Sequence, residues 1–328
     1  MDVLSEVLRA VRLTGAVFFD VSPTAPWAIA TPAMRDIRDR VMPEASHVIA
    51  FHVMLAGSCW VETVHPSLGP FLVEAGDVIL LPRGDPHVMG SAPGTGVAPD
   101  MTLYYRPVDR TLPFAFTKFG GGGTPARFVC GYLGCDATPF NPLLDALPRL
   151  TVVRTRDDQG RLISDLIAAA LSETGRDRPG TETVLAKLSE VLLVQALRTH
   201  LDQLPADASG WLGGLRDPHV GRALQLIHGL PAQDWTLPGL AREVGLSRSA
   251  LAERFTRLVR ETPMHYLGRW RMQLASHALE QPEQTIAAIA EDVGYQSEAA
   301  FNRAFKKYVG APPGAWRRAR AAERTART

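Results

Sequence analysis

The chain has 328 residues, 46% of them hydrophobic and 21% charged, with a formal net charge of +1. That length accommodates two ordinary domains, and that balance excludes wholesale disorder. No apolar run reaches the roughly 18 residues of a membrane helix, and three cysteines are too few and odd in number for a disulfide scaffold, so a cytoplasmic, reducing setting is expected.

The opening MDVLSEVLRAVRLTG sets Asp2, Glu6, Arg9 and Arg12 among apolar residues, which is an amphipathic helix pattern and not the core of a secretory signal. Prolines then concentrate: 16 of 25 fall in the first 150 residues, between short β-branched or aromatic runs such as HVIAFHVMLAG, SCWVETV and GDVILLP. Strands punctuated by Gly and Pro predict an antiparallel sandwich or barrel.

Within GDVILLPRGDPH, Gly76, Pro82, Gly84 and His87 stand at the spacing of the second motif of cupin barrels, which this half resembles. Gly76-Asp77 makes a turn, Val78–Leu81 a buried strand, and Pro82 with Gly84 the bend before His87. The resemblance implies an interior able to host a small ligand, and a metal where a first motif adds two close histidines and a glutamate. Gly57 stands where that motif's turn glycine belongs, but EASHVIAFHVMLAG lacks the rest. His47 and His52, five apart, point to opposite faces of a strand. Only His87 carries over, against the roughly three or four ligands such a metal needs, so no metal, other cofactor or catalytic residue is expected. A hydrogen-bonded barrel histidine is the favoured reading of His87. His52, Trp60, His87 and Tyr104 are the candidate pocket residues, with Tyr105 beside them; ordinary aromatic core positions are the alternative.

Cys59, within SCWVETV, reads as a buried small hydrophobe. Cys130 and Cys135 in FVCGYLGCD are the redox candidates. A disulfide between them requires the strand to turn, since in a straight strand they stand about 16 Å apart.

After Arg156 the period becomes helical. RLISDLIAAALSE and TETVLAKLSEVLLVQALRTHLDQL carry a stripe of Leu185, Leu188, Val191 and Leu192, suited to pairing two subunits or to packing on the chain's own barrel. PADASGWLGGLRDP reads as an interdomain linker. From Arg216 onward there are 17 basic and 11 acidic residues, an excess that points to a polyanion.

That basic region contains a repeat. LAREVGLSRSALAERF aligns with IAEDVGYQSEAAFNRAF, Val244-Gly245 with Val293-Gly294, and Phe255 with Phe305, one extra residue following the second turn. A short helix, a glycine stop, a serine cap (Ser247 or Ser297) and a second helix make a helix-turn-helix, twice. Helical phase buries Leu251, Phe255 and Leu258 in one copy and Phe301, Phe305 and Tyr308 in the other. Outward then face Ser249, Ala252, Glu253 and Arg257, and Glu298, Asn302, Arg303 and Lys306. Arg303 suits guanine, Asn302 adenine and Glu253 a cytosine amine, whereas Arg248, Arg260, Lys306 and Lys307 suit phosphates. A predicted 19-residue helix from Pro263, about 28 Å long, separates the copies, near the 34 Å of a DNA turn.

The unit from Asp217 to Ala321 resembles the DNA-binding domain of arabinose-regulator (AraC/XylS) type transcription factors, including the ending at Gly310, Pro312, Pro313, Trp316 and Arg317. The resemblance implies promoter binding, usually as an activator, with an N-terminal domain that senses a signal and dimerises.

The expected fold class is therefore α+β with two domains, an N-terminal cupin-like β-barrel with accessory helices and a C-terminal all-α double helix-turn-helix domain. The expected segments are a sensor at 1–150, helices at 151–204, a linker at 205–216, the DNA-binding unit at 217–321 and a tail at 322–328. The expected function is a non-enzymatic, homodimeric regulator that binds double-stranded promoter DNA, is controlled by a small molecule or oxidant, meets RNA polymerase and touches no membrane. Two alternatives stay open. A metal-dependent cupin enzyme with an attached DNA-binding module would carry tightly bound iron, manganese or zinc. An architectural or repressive binder with an inert barrel would ignore every small molecule and redox condition.

Overall fold

The computed structural model describes residues 2–65, 68–104, 114–154, 160–173, 179–205 and 207–327. In chain order the helices are α1 Val3–Ala10, α2 Met34–Val41, α3 Pro142–Ala146, α4 Gly160–Glu173, α5 Thr181–Gln203, α6 Trp211–Arg216, α7 Pro218–Gly229, α8 Leu237–Glu243, α9 Arg248–Val259, α10 Pro263–Ala278, α11 Ile286–Asp292, α12 Glu298–Val309 and α13 Pro313–Arg327. The strands are β1 Thr14–Thr24, β2 Ala28–Thr31, β3 His47–Ala56, β4 Ser58–Thr63, β5 Phe71–Glu74, β6 Val78–Leu81, β7 His87–Gly90, β8 Phe114–Gly120, β9 Arg127–Cys135 and β10 Thr151–Val153.

The strands form one unit, residues 13–135 with 147–203. A six-stranded sheet runs β10-β6-β3-β9-β1-β8 and a four-stranded sheet runs β2-β7-β4-β5. Every pairing is antiparallel except β1 with β8. Side chains alternate across each strand, so Val48, Ala50, Met54, Phe128, Cys130 and Tyr132 meet Cys59, Val61 and Met89 in one interior core. The cupin-like segment takes its expected shape. Gly76 turns at φ +92°, β6 is buried throughout, and Gly84 adopts φ +64°. A Cβ at Gly84 would stand 2.6 Å from Met34, so only glycine fits the bend.

Every residue of β9 pairs with β3, His52 opposite Cys130 and His47 opposite Cys135, and the bulges in its two pairings fall in β1 and β3, not in β9. The two cysteines thus lie on opposite faces, about 16 Å apart, and cannot form a disulfide with each other. On α5, Leu185 and Leu192 are buried, while Val191 and Val184 are 42% and 43% exposed. The expected stripe is therefore divided between packing on its own unit and solvent.

The second unit is not the simple C-terminal segment expected from the chain. Residues 204–328 gather with residues 1–12 and 136–146. The reading of 205–216 as a linker gives way to α6, with Trp211 and Leu212 buried. Trp211 Nε1–H donates to the Tyr266 hydroxyl at 2.7 Å. Glycine content suggested a tether, but two large apolar side chains gain more from burial than the glycines lose in entropy. Residues 322–327 likewise continue α13.

Candidate nucleic-acid interface

The two helix-turn-helix motifs are built by matching local chemistry. Thr236 and Thr285 cap α8 and α11 by accepting from Gly239 N and Ala288 N. Both helices stop at a left-handed glycine, Gly245 at φ +71° and Gly294 at φ +84°. The Leu246 and Tyr295 amides then close equivalent bonds to the Ala241 and Ala290 carbonyls, 2.9 and 2.8 Å. Gln296 is the extra residue of the second turn. Ser247 and Ser297 cap α9 and α12 through Ala250 N and Ala300 N, each at 3.2 Å. The repeat extends further than the sequence comparison did. Arg271 of α10 donates to the Pro231 and Gln233 carbonyls before α8, and Arg317 of α13 to those of Leu279 and Gln284 before α11.

Leu251 and Phe255, and Phe301 and Phe305, are fully buried, as helical phase required. Val259 rather than Leu258 completes the first buried face, and Tyr308 is only half-buried. Ser247, Arg248, Ser249, Glu253, Arg257 and Arg260 are exposed in the first copy, as are Ser297, Glu298, Arg303, Lys306 and Lys307 in the second; Asn302 is half-buried. Arg260 is held by Ser209, its Nη2–H donating to Oγ at 3.0 Å, and Lys307 lies 5.6 Å from the Tyr308 ring centre. The helix between the copies is shorter than predicted, 16 residues or about 24 Å. It ends at Ala278 because Gln281 precedes Pro282 and so disfavours the helical conformation.

Inside the strand unit, the candidate pocket residues His52, His87 and Tyr104 are buried. Trp60 belongs elsewhere. Its neighbours Cys59 and Val61 face the core, so alternation sends Trp60 to the outer face. Tyr105 lies outside the described residues.

His52 joins two partners: Nδ1 is 2.9 Å from Cys130 Sγ and Nε2 is 2.7 Å from His87 Nε2. His87 Nδ1 is 3.0 Å from the Asp85 carbonyl, which can only accept, so the protons are assigned in order. His87 Nδ1–H donates to Asp85, His52 Nε2–H to His87, and the Cys130 thiol to His52. Burial pushes His87 down to about 4 and His52 well below its usual value, the neighbouring His87 adding to the effect on His52. Burial drives the Cys130 thiol upward, so the chain is neutral throughout. The residues do not fit the metal of a metallocupin. The two nitrogens of His52 serve different neighbours, and among the described residues no three His, Cys, Asp or Glu side chains are placed to hold a metal ion.

Comparison with known proteins assigns both units. A cupin family model matches residues 2–202, more than half of the chain, and a helix-turn-helix domain model matches residues 240–319. An AraC-like transcription regulator of Streptomyces lividans is 33% identical over 323 residues, covering 97% of this chain and 98% of the relative. This chain belongs to the AraC-like transcription regulators. Another such regulator, from Streptomyces antibioticus, is 30% identical over 97% of this chain and 99% of its own length. The regulator AlkR of Acinetobacter baylyi is 28% identical over 95% of this chain and 98% of its own length.

As an AraC-like regulator the chain binds DNA through its helix-turn-helix unit, and no helix among the described residues is long and apolar enough to cross a membrane. Two features of this regulator escaped sequence reasoning. Arg254, in the middle of α9, is turned away from the exposed face to pair with Asp217 at 2.7 Å. Asp217 also caps α7, so one carboxylate fixes the first recognition helix to the helix preceding the motif. The link between Cys130 and His52 likewise had no sequence signal, because it depends on strand register.

Proposed function

We propose that this AraC-like regulator activates transcription from promoter DNA as a homodimer in the cytoplasm, in response to a signal received inside its barrel. The observation that carries the reading is the polar chain Cys130–His52–His87 within an apolar core. Buried polar groups left without partners are costly, so a disturbance of this chain has a large effect on the unit around it. A small molecule bound beside Cys130, or a peroxide that converts its thiol to a sulfenic acid with release of water, would replace the donor to His52 Nδ1 and force that end of the chain to rearrange. Either would act on transcription only by favouring one arrangement of the DNA-binding units.

Arg303, Asn302 and Glu253 are the proposed base readers. Arg248, Arg257, Arg260, Lys306 and Lys307 neutralise phosphates, the hydroxyls of Ser247, Ser249 and Ser297 donate to the DNA backbone at the helix starts, and Glu298 faces base edges as an acceptor. Activation is the usual outcome the family resemblance implies, with RNA polymerase as the further partner. Exposed Val184 and Val191 on α5 support pairing of two subunits.

The test measures affinity for the DNA upstream of the regulator's own gene, at fixed salt, and run-off transcription from it. The protein is compared reduced and after mild peroxide treatment, beside Cys130→Ser and His52→Asn. An oxidant-dependent change in wild type that is absent from Cys130→Ser supports the reading. Identical binding and transcription in every state and variant would remove the Cys130–His52–His87 chain as the receiver of the signal.

A further inference from the structure

Helix α10 joins the two helix-turn-helix motifs, and one of its faces is occupied by segments that neither motif contains. Tyr266, Arg269, Gln273 and His277 recur three or four residues apart and so share a stripe. Gln273 is fully buried and uses both ends of its amide: Oε1 accepts from Phe140 N at 3.0 Å, and Nε2 donates to the Ala10 carbonyl at 3.2 Å. One side chain thus grips the end of α1 and the segment 136–146 together. His277 Nε2 lies 2.9 Å from Asp136 Oδ2, which also accepts from Arg12 Nε at 2.7 Å. Arg12 reaches back to Glu280, just past α10, through both terminal nitrogens, 2.5 and 3.2 Å. The Arg269 guanidinium stacks 4.0 Å from the centre of the Phe140 ring and pairs with Asp145 at 3.1 Å. Asp136 N donates to the Val11 carbonyl at 2.9 Å, so the two bracing segments are also tied to each other.

We infer that this brace determines the spacing at which the two recognition helices read DNA. Gln273, His277, Asp136 and Arg12 are positioning residues: none lies on a recognition helix, yet together they fix the helix whose ends carry α9 and α11. A rigid connection presents the second recognition helix to its site at high effective concentration for one spacing only. A loosened connection accepts neighbouring spacings and loses that advantage. Asp136 follows directly on β9 and Arg12 precedes β1 by two residues, and those strands pair from Thr14 and Gly134 onward. The brace is therefore built from the chain segments that lead into β1 and out of β9.

The inference rests on α9 and α12 being the base-reading helices. Full-length wild type, Asp136→Ala and Arg12→Ala would each be used to select duplexes from a random DNA pool, with melting temperature and circular dichroism measured alongside. Wild type is expected to select two short motifs at one spacing. The variants should keep both motifs, spread over neighbouring spacings, and lose about tenfold in affinity for the wild-type arrangement while binding each motif alone as before. Should Asp136→Ala melt early, Arg12→Ala decides, because the half-exposed Arg12 leaves no buried void. Unchanged spacing and affinity in Arg12→Ala overturns the brace, and so does an equal loss on single motifs. If wild type selects no motif, the base-reading assignment fails instead.

Discussion

Protonation of the buried histidine pair should cost the strand unit stability as the pH falls. In the unfolded chain His87 titrates near 6.5, and in the folded chain burial holds it near 4. Between those values the unfolded state binds the additional proton, so stability falls as pH falls from 6.5 toward 4. From pH 7 to pH 5 the loss from His87 alone is about 2 kcal/mol, or roughly 30-fold in the opening equilibrium. His52 is shifted in the same direction and adds to the loss. Asp136 and Asp217, held below the ordinary carboxylate value by their partners, lose their contribution only below about pH 4, outside this window. Hydrogen exchange of the β3 and β9 amides, corrected for intrinsic rate, reads the strand unit separately from the helical one. Wild type should show the loss, His87→Gln should lose about 2 kcal/mol less, and His52→Gln/His87→Gln should keep only the slope left by His47 and His200, which burial shifts the same way, and by Asp77, which burial shifts up. Protection that is constant in wild type from pH 7 to 5, or that rises toward pH 5, would refute a neutral Cys130–His52–His87 chain.

Arg303→Ala should weaken DNA binding and relax preference at one base pair, at a cost of about 1–3 kcal/mol, whereas Lys306→Ala should weaken all sequences alike and lower the salt slope by about 1; competition binding over several salt concentrations distinguishes them, and a uniform loss for Arg303→Ala would strike it from the base readers. Ser297→Ala removes the cap of α12 and should lower the stability of the helical unit by about 1 kcal/mol in urea melts, with Ser297→Thr restoring most of it; no change would mean the Ala300 amide is satisfied by water. Peroxide treatment followed by peptide mapping should yield no intramolecular Cys130–Cys135 link, because β9 holds the thiols on opposite faces; recovery of that link would show that β9 breaks in solution.

The local devices were legible in the residue types alone. The serine and threonine caps, the left-handed glycines and the buried Leu251, Phe255, Phe301 and Phe305 follow from residue type and helical period, which operate over a few residues. Gly76, Pro82 and Gly84 likewise dictated their own bend, and the family resemblance carried the two-domain class. Spacing along a strand also showed that His47 and His52 face opposite ways. Tertiary structure decided what depends on register and packing. Whether Trp60 lies inside or outside, and that Cys130 meets His52 rather than Cys135, follow from which strands pair and how they align. The glycine-rich run at 205–216 looked like a tether because its composition hides what Trp211 and Leu212 gain from burial. Residues 1–12 and 136–146 joined the DNA-binding unit for a related reason: Ala10, Arg12, Asp136, Phe140 and Asp145 lie between 124 and 268 residues away in sequence from the groups they meet on or beside α10. No local pattern marks such a contact. It exists only once the chain has brought those segments together, when a buried amide or carboxylate must find a partner or bear the full cost of losing water.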